Sequence, residues 1–510
     1  MSGQRRKDNP WRTDADWDKK DHSLREFDNS ALEYQPRLFF HFIEALTKPS
    51  AYGIATLRGP RRVGKTTLVK LLIRELLSRG VGKSNIRYFS LDAQDPEGQR
   101  LSPLELVRGT PSNGKKDNYL FLDEVSFNRT WATQLKNAFD EGLIEDFRLR
   151  VVATGSHSMD IAEAVRQLRG RQGAIARTLN LGGNVLQSPL RFSEVVESLQ
   201  PEVRAYFARS YFRGVPKRFA SLTALAAGSI PDGLKYVYDN YFQLLQGTLD
   251  DYLLHGGYAH AIDEFNSQSP HQVSDDFYYN VADLLINDCE AIGLDPENLR
   301  RLIQYLVDPD RISNEFNLQG SGQVVVRSEE GLPSGRFEKR RYLDYLRTTW
   351  SFFFPYREDD PCVPNYQGLQ KDYVLDPFLY HALYARVNNI AHPFRNSRST
   401  VADPIFKGKL VECVLGSHLL LSQFLFEHIP DVNFDRVLMY QRTGDGENDF
   451  VLCVTKNNVP HRVVLESKFS SNPSGYNSIP ANRKIVITKD RLEVHGRVVY
   501  VPASVFLLLF

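Results

Sequence analysis

Residues 58–67 read Arg-Gly-Pro-Arg-Arg-Val-Gly-Lys-Thr-Thr, which places the pattern GxxxxGK[ST] directly after the largely apolar run 51–57. Such a loop at a helix N-terminus points backbone N–H groups at phosphate. The spacing predicts that Lys65 reaches the β- and γ-phosphate oxygens and that the Thr66 hydroxyl binds Mg²⁺. We therefore expect an ATP-binding loop, and the alternative is a glycine turn without a nucleotide. The loop residues are Gly59, Pro60, Arg61, Gly64, Lys65, Thr66 and Thr67.

Length and charge set the broad class of the chain. Its 510 residues with 42% hydrophobic content are enough for roughly three domains with buried cores. Lys and Arg number 63 against 62 Asp and Glu, a net charge of +1, so only local patches could attract nucleic acid. The charged N-terminus lacks the apolar core of a signal peptide, and no apolar run is long enough for a membrane span. These features predict a cytoplasmic protein without a membrane partner.

The cysteines and the C-terminus give two further expectations. Cys289, Cys362, Cys413 and Cys453 are far apart and form no CxxC pair, which argues against a zinc site or a disulfide framework. The closing apolar run Val505 to Phe510 is interpreted as a buried terminal strand.

A second motif follows in the same half of the chain. After the loop, leucines repeat at helical spacing to Gly80 and a short β-rich run follows. This order of elements is typical of a βαβ unit. The apolar strand 119–122 then ends in Asp123-Glu124, the pattern of a Walker B segment. Asp123 is expected to hold Mg²⁺ through water and Glu124 to orient the attacking water. The alternative is a solvated strand end.

Two more residues are candidates for the same site. The strand 149–153 ends in Thr154-Gly155-Ser156, where we favour Ser156 as a sensor of the γ-phosphate. Arg171, after a helix-like segment, could neutralise charge developing on the γ-phosphate, within the chain or from a neighbouring subunit. An ordinary surface arginine is the alternative for Arg171.

Together these pieces resemble a known family, the bacterial and archaeal AAA-type ATPases whose C-terminal part is called DUF4143. The resemblance runs from about residue 30 to the C-terminus. It implies an ATPase core, a helical lid, a winged-helix-like module and a nuclease-like terminal domain. Besides the phosphate loop, the matching pieces are Phe121 to Glu124, Thr154 to Ser156, Leu168 to Arg171, Pro189 to Glu194 and Gly256-Gly257-Tyr258.

The middle of the chain has the pattern of a winged helix. Helical runs at 281–286 and 299–306 precede a glycine-rich insertion and the segment Arg336 to Leu346, in which Lys339, Arg340 and Arg341 cluster. In DNA-binding winged helices, basic residues of this kind contact phosphates and bases. A purely structural role is the alternative, and the sequence leaves both open.

The last domain carries a carboxylate hairpin. Two strands, 450–454 and 462–465, flank a turn at Asn457-Asn458, and a two-residue turn there sets Asp449 across from Glu466. Period-2 alternation places Glu466 and Lys468 on one face, so carboxylates to hold Mg²⁺ or Mn²⁺ meet a lysine that positions water. The pattern is similar to PD-(D/E)xK nucleases, in which Glu412 on the helix around 409–421 would be another acidic ligand. A surface salt bridge without metal is the alternative.

The resulting fold prediction is an α/β protein. We expect a polar extension at 1–29, a P-loop AAA-type ATPase core with a parallel sheet at 30–200, a helical lid at 201–275, a winged-helix-like module at 276–395 and a restriction-endonuclease-like α/β domain at 396–510. The leading hypothesis is an ATPase whose nucleotide state controls a DNA-directed, metal-dependent nuclease, with defence against foreign DNA as its biological role. The alternative is a nucleotide-operated switch or assembly protein, a homo-oligomer or bound to a partner protein, whose terminal domain binds DNA or protein without cleavage.

Overall fold

The computed structural model divides the chain into two compact units, one up to Ser188 and the other from Pro189 onwards. The residues that it describes are 9–32, 35–92, 101–111, 116–155, 167–168, 170–179, 183–209, 215–316, 336–426, 433–443, 446–456, 459–470 and 483–510. No helix among these described residues is long and apolar enough to cross a membrane.

The first unit is built on a parallel five-stranded sheet, as the predicted βαβ unit indicates. Its order is β2-β3-β4-β1-β5, so the strand before the phosphate loop, β1, pairs with β4 on one side and β5 on the other. Alternate residues of the strands enter two buried clusters, for example Ala55 in one and Ile54 in the other. The strands are β1 (Gly53–Arg58), β2 (Ile86–Ser90), β3 (Asn118–Asp123), β4 (Leu149–Gly155) and β5 (Asn184–Leu186).

Helices complete this unit around the sheet, in agreement with the leucine spacing after the loop. That spacing corresponds to the helix Lys65–Ser78, which buries Leu68, Leu72 and Leu76. Among the described residues of the unit, the α-helices are Trp17–Lys20, His22–Asn29, Arg37–Thr47, Lys65–Ser78, Pro103–Arg108, Trp131–Asp140, Leu143–Asp146 and Gly173–Thr178.

The described residues of the N-terminal segment, which was predicted as a polar extension, are packed into the first unit. Trp11 and Leu24 are fully buried in the same cluster as the helix Lys65–Ser78. The Asn9 side chain accepts from the Tyr88 backbone N–H at 2.9 Å and donates to the Tyr88 carbonyl at 3.0 Å. A few apolar residues among many charges were enough to anchor the segment, which its average composition concealed.

The second unit contains a ten-stranded mixed sheet. Its main path is β16-β17-β15-β14-β13-β12-β8-β10-β6, and β9 pairs with β8. The strands are β6 (Glu315–Phe316), β8 (Tyr356–Asp360), β9 (Val363–Pro364), β10 (Gln370–Lys371), β12 (Leu438–Thr443), β13 (Gly446–Lys456), β14 (Val459–Ser467), β15 (Lys484–Thr488), β16 (Glu493–His495) and β17 (Val498–Pro502). A separate two-stranded sheet is formed by β7 (Phe352–Phe353) and β11 (Tyr373–Val374).

The helices of this unit include those predicted around 281–286, 299–306, 336–346 and 409–421. The helices are Phe192–Leu199, Pro201–Arg209, Val215–Ala226, Asp232–His255, Ala259–Ser267, Asp275–Asp288, Pro296–Leu306, Arg336–Thr348, Pro377–Val387, Pro393–Ala402, Pro404–Phe426 and Ala503–Phe506. Of the predicted basic cluster Lys339, Arg340 and Arg341, the side chain of Lys339 lies outside the described residues.

The five-part domain division stays a prediction, but two features of the second unit bear on it. The strands β6, β8 and β10 belong to the predicted winged-helix-like segment, yet they join the same sheet as the C-terminal strands. The helix Phe192–Leu199, expected in the ATPase core, lies in the second unit. Pairing between strands distant in sequence leaves no local signal, so a boundary drawn from composition does not detect it.

Two expectations are wrong. The closing residues are buried, but they form the helix Ala503–Phe506 and a 3₁₀ turn, Leu507–Leu509, instead of a strand. A short apolar run gives no periodicity that separates the two conformations. Cys362 and Cys453 form a disulfide across 91 residues of sequence. Their wide spacing in the chain said nothing about their distance in the fold.

Candidate functional site

The phosphate loop lies between β1 and the helix Lys65–Ser78, as the motif requires. Gly64 precedes this helix with a φ of 88°, a left-handed conformation that glycine adopts without strain. Gly59 is required for a different reason, because a Cβ there would lie 2.0 Å from the Gln187 carbonyl oxygen. The Lys65 ammonium is buried and donates to the carbonyls of Gly59 at 2.9 Å and Pro60 at 2.8 Å.

The two motifs meet at Asp123, at the carboxyl end of β3. The Thr66 hydroxyl donates to Asp123 Oδ2 at 2.8 Å. Hydroxyl and carboxylate oxygens are the ligands that Mg²⁺ prefers, so these residues fit the predicted Mg²⁺ site. Bound there, Mg²⁺ would supply a positive charge beside the nucleotide phosphates. Glu124 follows directly, with an unusual positive φ of 50°, where β3 ends and a 3₁₀ turn, Val125–Phe127, begins.

Two residues that the sequence analysis did not assign hold Asp123 in place. The Tyr88 hydroxyl donates to Asp123 Oδ2 at 2.8 Å, and the pKa of Tyr88 is raised by burial and by the neighbouring carboxylate. The Thr154 hydroxyl donates to Asp123 Oδ1 and accepts from the Glu124 backbone N–H at 3.3 Å. Parallel strands bring Tyr88 and Thr154 to the same sheet edge as Asp123, and only the polar end of β4 hinted at this.

Gln187, at the end of β5, is a third residue that the sequence did not reveal. Its side-chain amide donates to the Val63 carbonyl at 2.7 Å, and its backbone N–H donates to the Arg58 carbonyl at 2.8 Å. It therefore contacts both ends of the phosphate loop. Hydrogen bonds at both ends restrict the conformations that the loop samples before a nucleotide arrives.

The remaining two predicted residues of this site have different outcomes. Ser156 lies outside the described residues, so its sensor role stays a prediction. Arg171 forms an ion pair with Asp140 at 2.6 Å, and both side chains are more than a third exposed. Exposed pairs of this kind contribute about 0–1 kcal/mol, so the pair would not prevent Arg171 from reorienting.

In the second unit, the structure confirms the hairpin register from which the carboxylate site was predicted. Lys456 pairs with Val459 and Phe450 with Leu465, and the same register extended by one residue would set Asp449 opposite Glu466. The predicted turn at Asn457-Asn458 lies outside the described residues. The Ser467 backbone N–H donates to Asp449 Oδ2 at 2.7 Å.

Glu412, Asp449, Glu466 and Lys468 lie in one group of charged residues, but three unpredicted residues lie among them. We call this group the carboxylate–lysine cluster: Lys371, Glu412, Glu447, Asp449, Glu466, Lys468 and Lys484. Lys371 Nζ is 3.4 Å from Glu412 Oε1, 3.4 Å from Asp449 Oδ1 and in direct contact with Glu447. Lys468 and Lys484 contact the two oxygens of Glu466 at 3.3 and 2.7 Å.

Burial and neighbouring charges shift the pKa values of Lys371 and Glu412 in opposite directions. Burial opposes the charged form of Lys371, but Glu412, Asp449 and Glu447 together outweigh it and raise the pKa of Lys371. Burial raises the pKa of Glu412 to about 7, against the lowering effect of Lys371. Every carboxylate of the cluster thus has an ammonium group of the same chain as its partner.

The cluster does not fit a divalent cation in this arrangement. Among the described residues, the one group of three potential ligand side chains whose atoms lie within 4.8 Å of one another is Glu358, Cys362 and Cys453, and its cysteines form the disulfide. An ion on Glu412 and Asp449 would also share their oxygens with the Lys371 ammonium. Two unit charges 4 Å apart interact by about 4 kcal/mol at an effective dielectric constant of 20, and a double charge would face about twice that repulsion.

The geometry of the first unit defines a P-loop nucleotide site on a parallel α/β sheet. Residues 51–196 match the protein family described as AAA domain, and this part of the chain is an AAA-type, ATP-binding P-loop ATPase domain. No curated protein matches the sequence.

Solved structures give weak similarity. A Walker-type ATPase of Pyrococcus abyssi has 13% identity and a TM-score of 0.38, covering 68% of this chain and 94% of that one. A RuvB variant of Thermotoga maritima has 16% identity and a TM-score of 0.27, covering 66% and 89%. The Orc1 protein of Aeropyrum pernix in complex with DNA has 14% identity and a TM-score of 0.26, covering 71% and 92%.

Proposed function

We propose that this protein hydrolyses ATP and acts as a nucleotide-operated switch or assembly protein. The observation that carries the proposal is the arrangement around Asp123, whose oxygens accept from Thr66 and Thr154 while Glu124 follows next in the chain. In this arrangement Lys65 binds phosphate oxygens, Thr66 and Asp123 hold Mg²⁺, and Glu124 orients water towards the γ-phosphate.

Separate measurements of ATP binding and of ATP hydrolysis distinguish the proposed roles of Lys65 and Glu124. Lys65→Ala is expected to weaken binding of a fluorescent ATP analogue, whereas Glu124→Gln is expected to bind ATP normally and hydrolyse it slowly. Lys83→Ala and Glu141→Gln, at exposed positions of the same unit, are the matched controls. Normal turnover by Glu124→Gln would remove Glu124 from the proposed role.

Assembly is part of the same proposal through Arg171. If Arg171 acts on the nucleotide of a neighbouring subunit, Arg171→Ala lowers ATP hydrolysis only at protein concentrations at which the wild type assembles. Asp140→Ala is the control, because it removes the same surface ion pair and leaves the arginine. Full activity of Arg171→Ala at all concentrations would exclude Arg171 from the site.

A DNA-directed nuclease in the cytoplasm is the second candidate function. The observation that favours it is the gathering of Glu412, Asp449, Glu466 and Lys468 in one cluster. The test is cleavage of labelled linear and circular DNA with Mg²⁺ or Mn²⁺, with and without ATP. Cleavage by wild type that Lys468→Ala abolishes and exposed Lys489→Ala retains would establish it. If no condition gives cleavage, the nucleotide-operated switch or assembly protein remains as the proposed function.

A further inference from the structure

We propose that Lys371 is a built-in cation of the carboxylate–lysine cluster, which takes the place of a divalent metal ion and makes this centre metal-independent. The proposal concerns the second unit and does not rest on ATP hydrolysis by the first. It departs from the Mg²⁺ or Mn²⁺ site that the hairpin sequence predicted.

The first argument is the position of Lys371 in the fold. Lys371 lies in β10 and pairs with Glu315 of β6. Its backbone N–H donates to the Pro355 carbonyl at 3.1 Å. The side chain is only 5% exposed, so its aliphatic chain does not carry the ammonium out to bulk water. The sheet therefore fixes Lys371 inside the cluster.

The second argument is mutual dependence between the ammonium and its carboxylates. A buried charge is tolerated only where opposite charge and hydrogen bonds replace water. Lys371 obtains these from Glu412, Glu447 and Asp449, and its ammonium also lies 5.7 Å from the Tyr440 ring centroid. The side chains of Glu412 and Asp449 are only 14% and 12% exposed, so the Lys371 ammonium replaces part of the water that their charged forms would otherwise need.

The third argument is that other groups fix the carboxylates around Lys371. The Tyr373 hydroxyl donates to Glu412 Oε1 at 2.7 Å, and the Ser467 N–H donates to Asp449 Oδ2 at 2.7 Å. Asp449 thus offers one oxygen to Ser467 and the other to Lys371, whereas in Glu412 the same Oε1 accepts from Tyr373 and faces Lys371. Without this ammonium, the oxygens of Glu412 and Asp449 would lose the cation in contact with them and would remain as ligands for a hard divalent cation.

Replacement of the lysine by an uncharged side chain of similar shape should therefore create a metal site. We expect Lys371→Met to bind one equivalent of Mn²⁺ at least tenfold more tightly than wild type, measured by calorimetry and by electron paramagnetic resonance of free Mn²⁺. Nucleotide-free proteins are used, all carrying Asp123→Asn so that the phosphate-loop site does not contribute. Lys484→Met, which removes another buried ammonium from Glu466, should behave as wild type.

Two results would overturn the proposal. One is a stoichiometric Mn²⁺ site in the protein with Lys371 intact that is lost on adding Asp449→Asn, and this comparison needs no lysine variant to fold. The other is a folded Lys371→Met protein, judged by its thermal unfolding, that binds no Mn²⁺. An Mn²⁺ site in Lys371→Met that disappears on adding Asp449→Asn supports the proposal, whatever the ATPase assays give.

Discussion

The Tyr88 hydroxyl and the Thr66 hydroxyl donate to the same oxygen of Asp123, each at 2.8 Å. Tyr88 lies on β2 and Thr66 at the start of the helix after the phosphate loop, so one carboxylate oxygen joins two elements of the first unit. A group that orients a metal ligand contributes to metal affinity without touching the metal. Tyr88 is therefore a positioning residue of the proposed Mg²⁺ site.

Tyr88→Phe is expected to raise the Mg²⁺ concentration for half-maximal ATP hydrolysis by about tenfold, because Asp123 loses one of the hydroxyls that orient it. The measurement is a Mg²⁺ titration of ATPase rate at saturating ATP. Tyr119→Phe is the matched control, since Tyr119 is a buried tyrosine on the adjacent strand, with its ring against Arg150. An unchanged Mg²⁺ requirement in Tyr88→Phe would contradict the assignment.

Gln187 is expected to support nucleotide binding through the shape of the phosphate loop. Gln187→Ala removes the hydrogen bond to the Val63 carbonyl and should raise the Kd for ATP about fivefold, the equivalent of one ordinary hydrogen bond. Equilibrium binding of a fluorescent ATP analogue measures this change. Gln134→Ala removes side-chain hydrogen bonds elsewhere in the same unit and should leave the Kd unchanged. Equal affinities of wild type and Gln187→Ala would show that the loop keeps its shape unaided.

The phosphate loop and Walker B segment were predictable because their chemistry fixes both residue types and spacing. Thr66 and Asp123 come together as the sequence indicated, and the Lys65 ammonium contacts the loop at the Gly59 carbonyl. Tyr88 and Gln187 could not be predicted, because they reach the site through strand order, which a single sequence does not specify. Their residue types are also common in structural roles elsewhere.

The carboxylate site was predictable to a different extent. The predicted two-residue turn implied a hairpin register, and the strands on either side follow it, with Phe450 opposite Leu465. Lys371 comes from a segment that was assigned to another module, and its strand β10 has only two residues. The long-range pairing that brings this lysine among the carboxylates changes the chemistry expected of the site.

Two of the motif pieces that suggested the family resemblance have a packing role. The Leu190 backbone N–H donates to the Gly257 carbonyl at 2.7 Å, and the Gly257 N–H donates to Asp376 Oδ2 at 2.8 Å. A Cβ on Gly257 would lie 2.1 Å from the Leu190 carbonyl oxygen. Gly257 therefore permits close approach of two backbones within the second unit.

Gly257→Ala is expected to lower the free energy of unfolding of the second unit by about 2–4 kcal/mol, because the obstructing atoms belong to the backbone and cannot rotate away. Urea unfolding measures the change. Gly247→Ala is the control, since nothing lies within 4 Å of a Cβ at this position on the helix Asp232–His255, and alanine should be neutral or stabilising there. Equal stability of the two variants would show that the contact with Leu190 relaxes without cost.

His418 gives the second unit a predictable dependence on pH. Its Nε2 accepts from the Phe192 backbone N–H at 2.9 Å, and its Nδ1 lies 2.7 Å from the Val414 carbonyl, to which it donates. The neutral ring satisfies both contacts, whereas a second proton on Nε2 would face the Phe192 N–H. Burial lowers the pKa of His418 to about 3.

Because this folded-state pKa lies below the usual value of about 6.5, the unfolded chain binds more protons at acidic pH, and stability falls as the pH drops below about 6.5. The stabilising advantage of wild type over His418→Gln should therefore shrink by about 2 kcal/mol between pH 7.5 and pH 5. Urea unfolding of both proteins at the two pH values measures this difference. His392→Gln, at an exposed histidine, is the control and should show no such change. A wild-type advantage that is the same at both pH values would mean that His418 does not control the acid sensitivity of this unit.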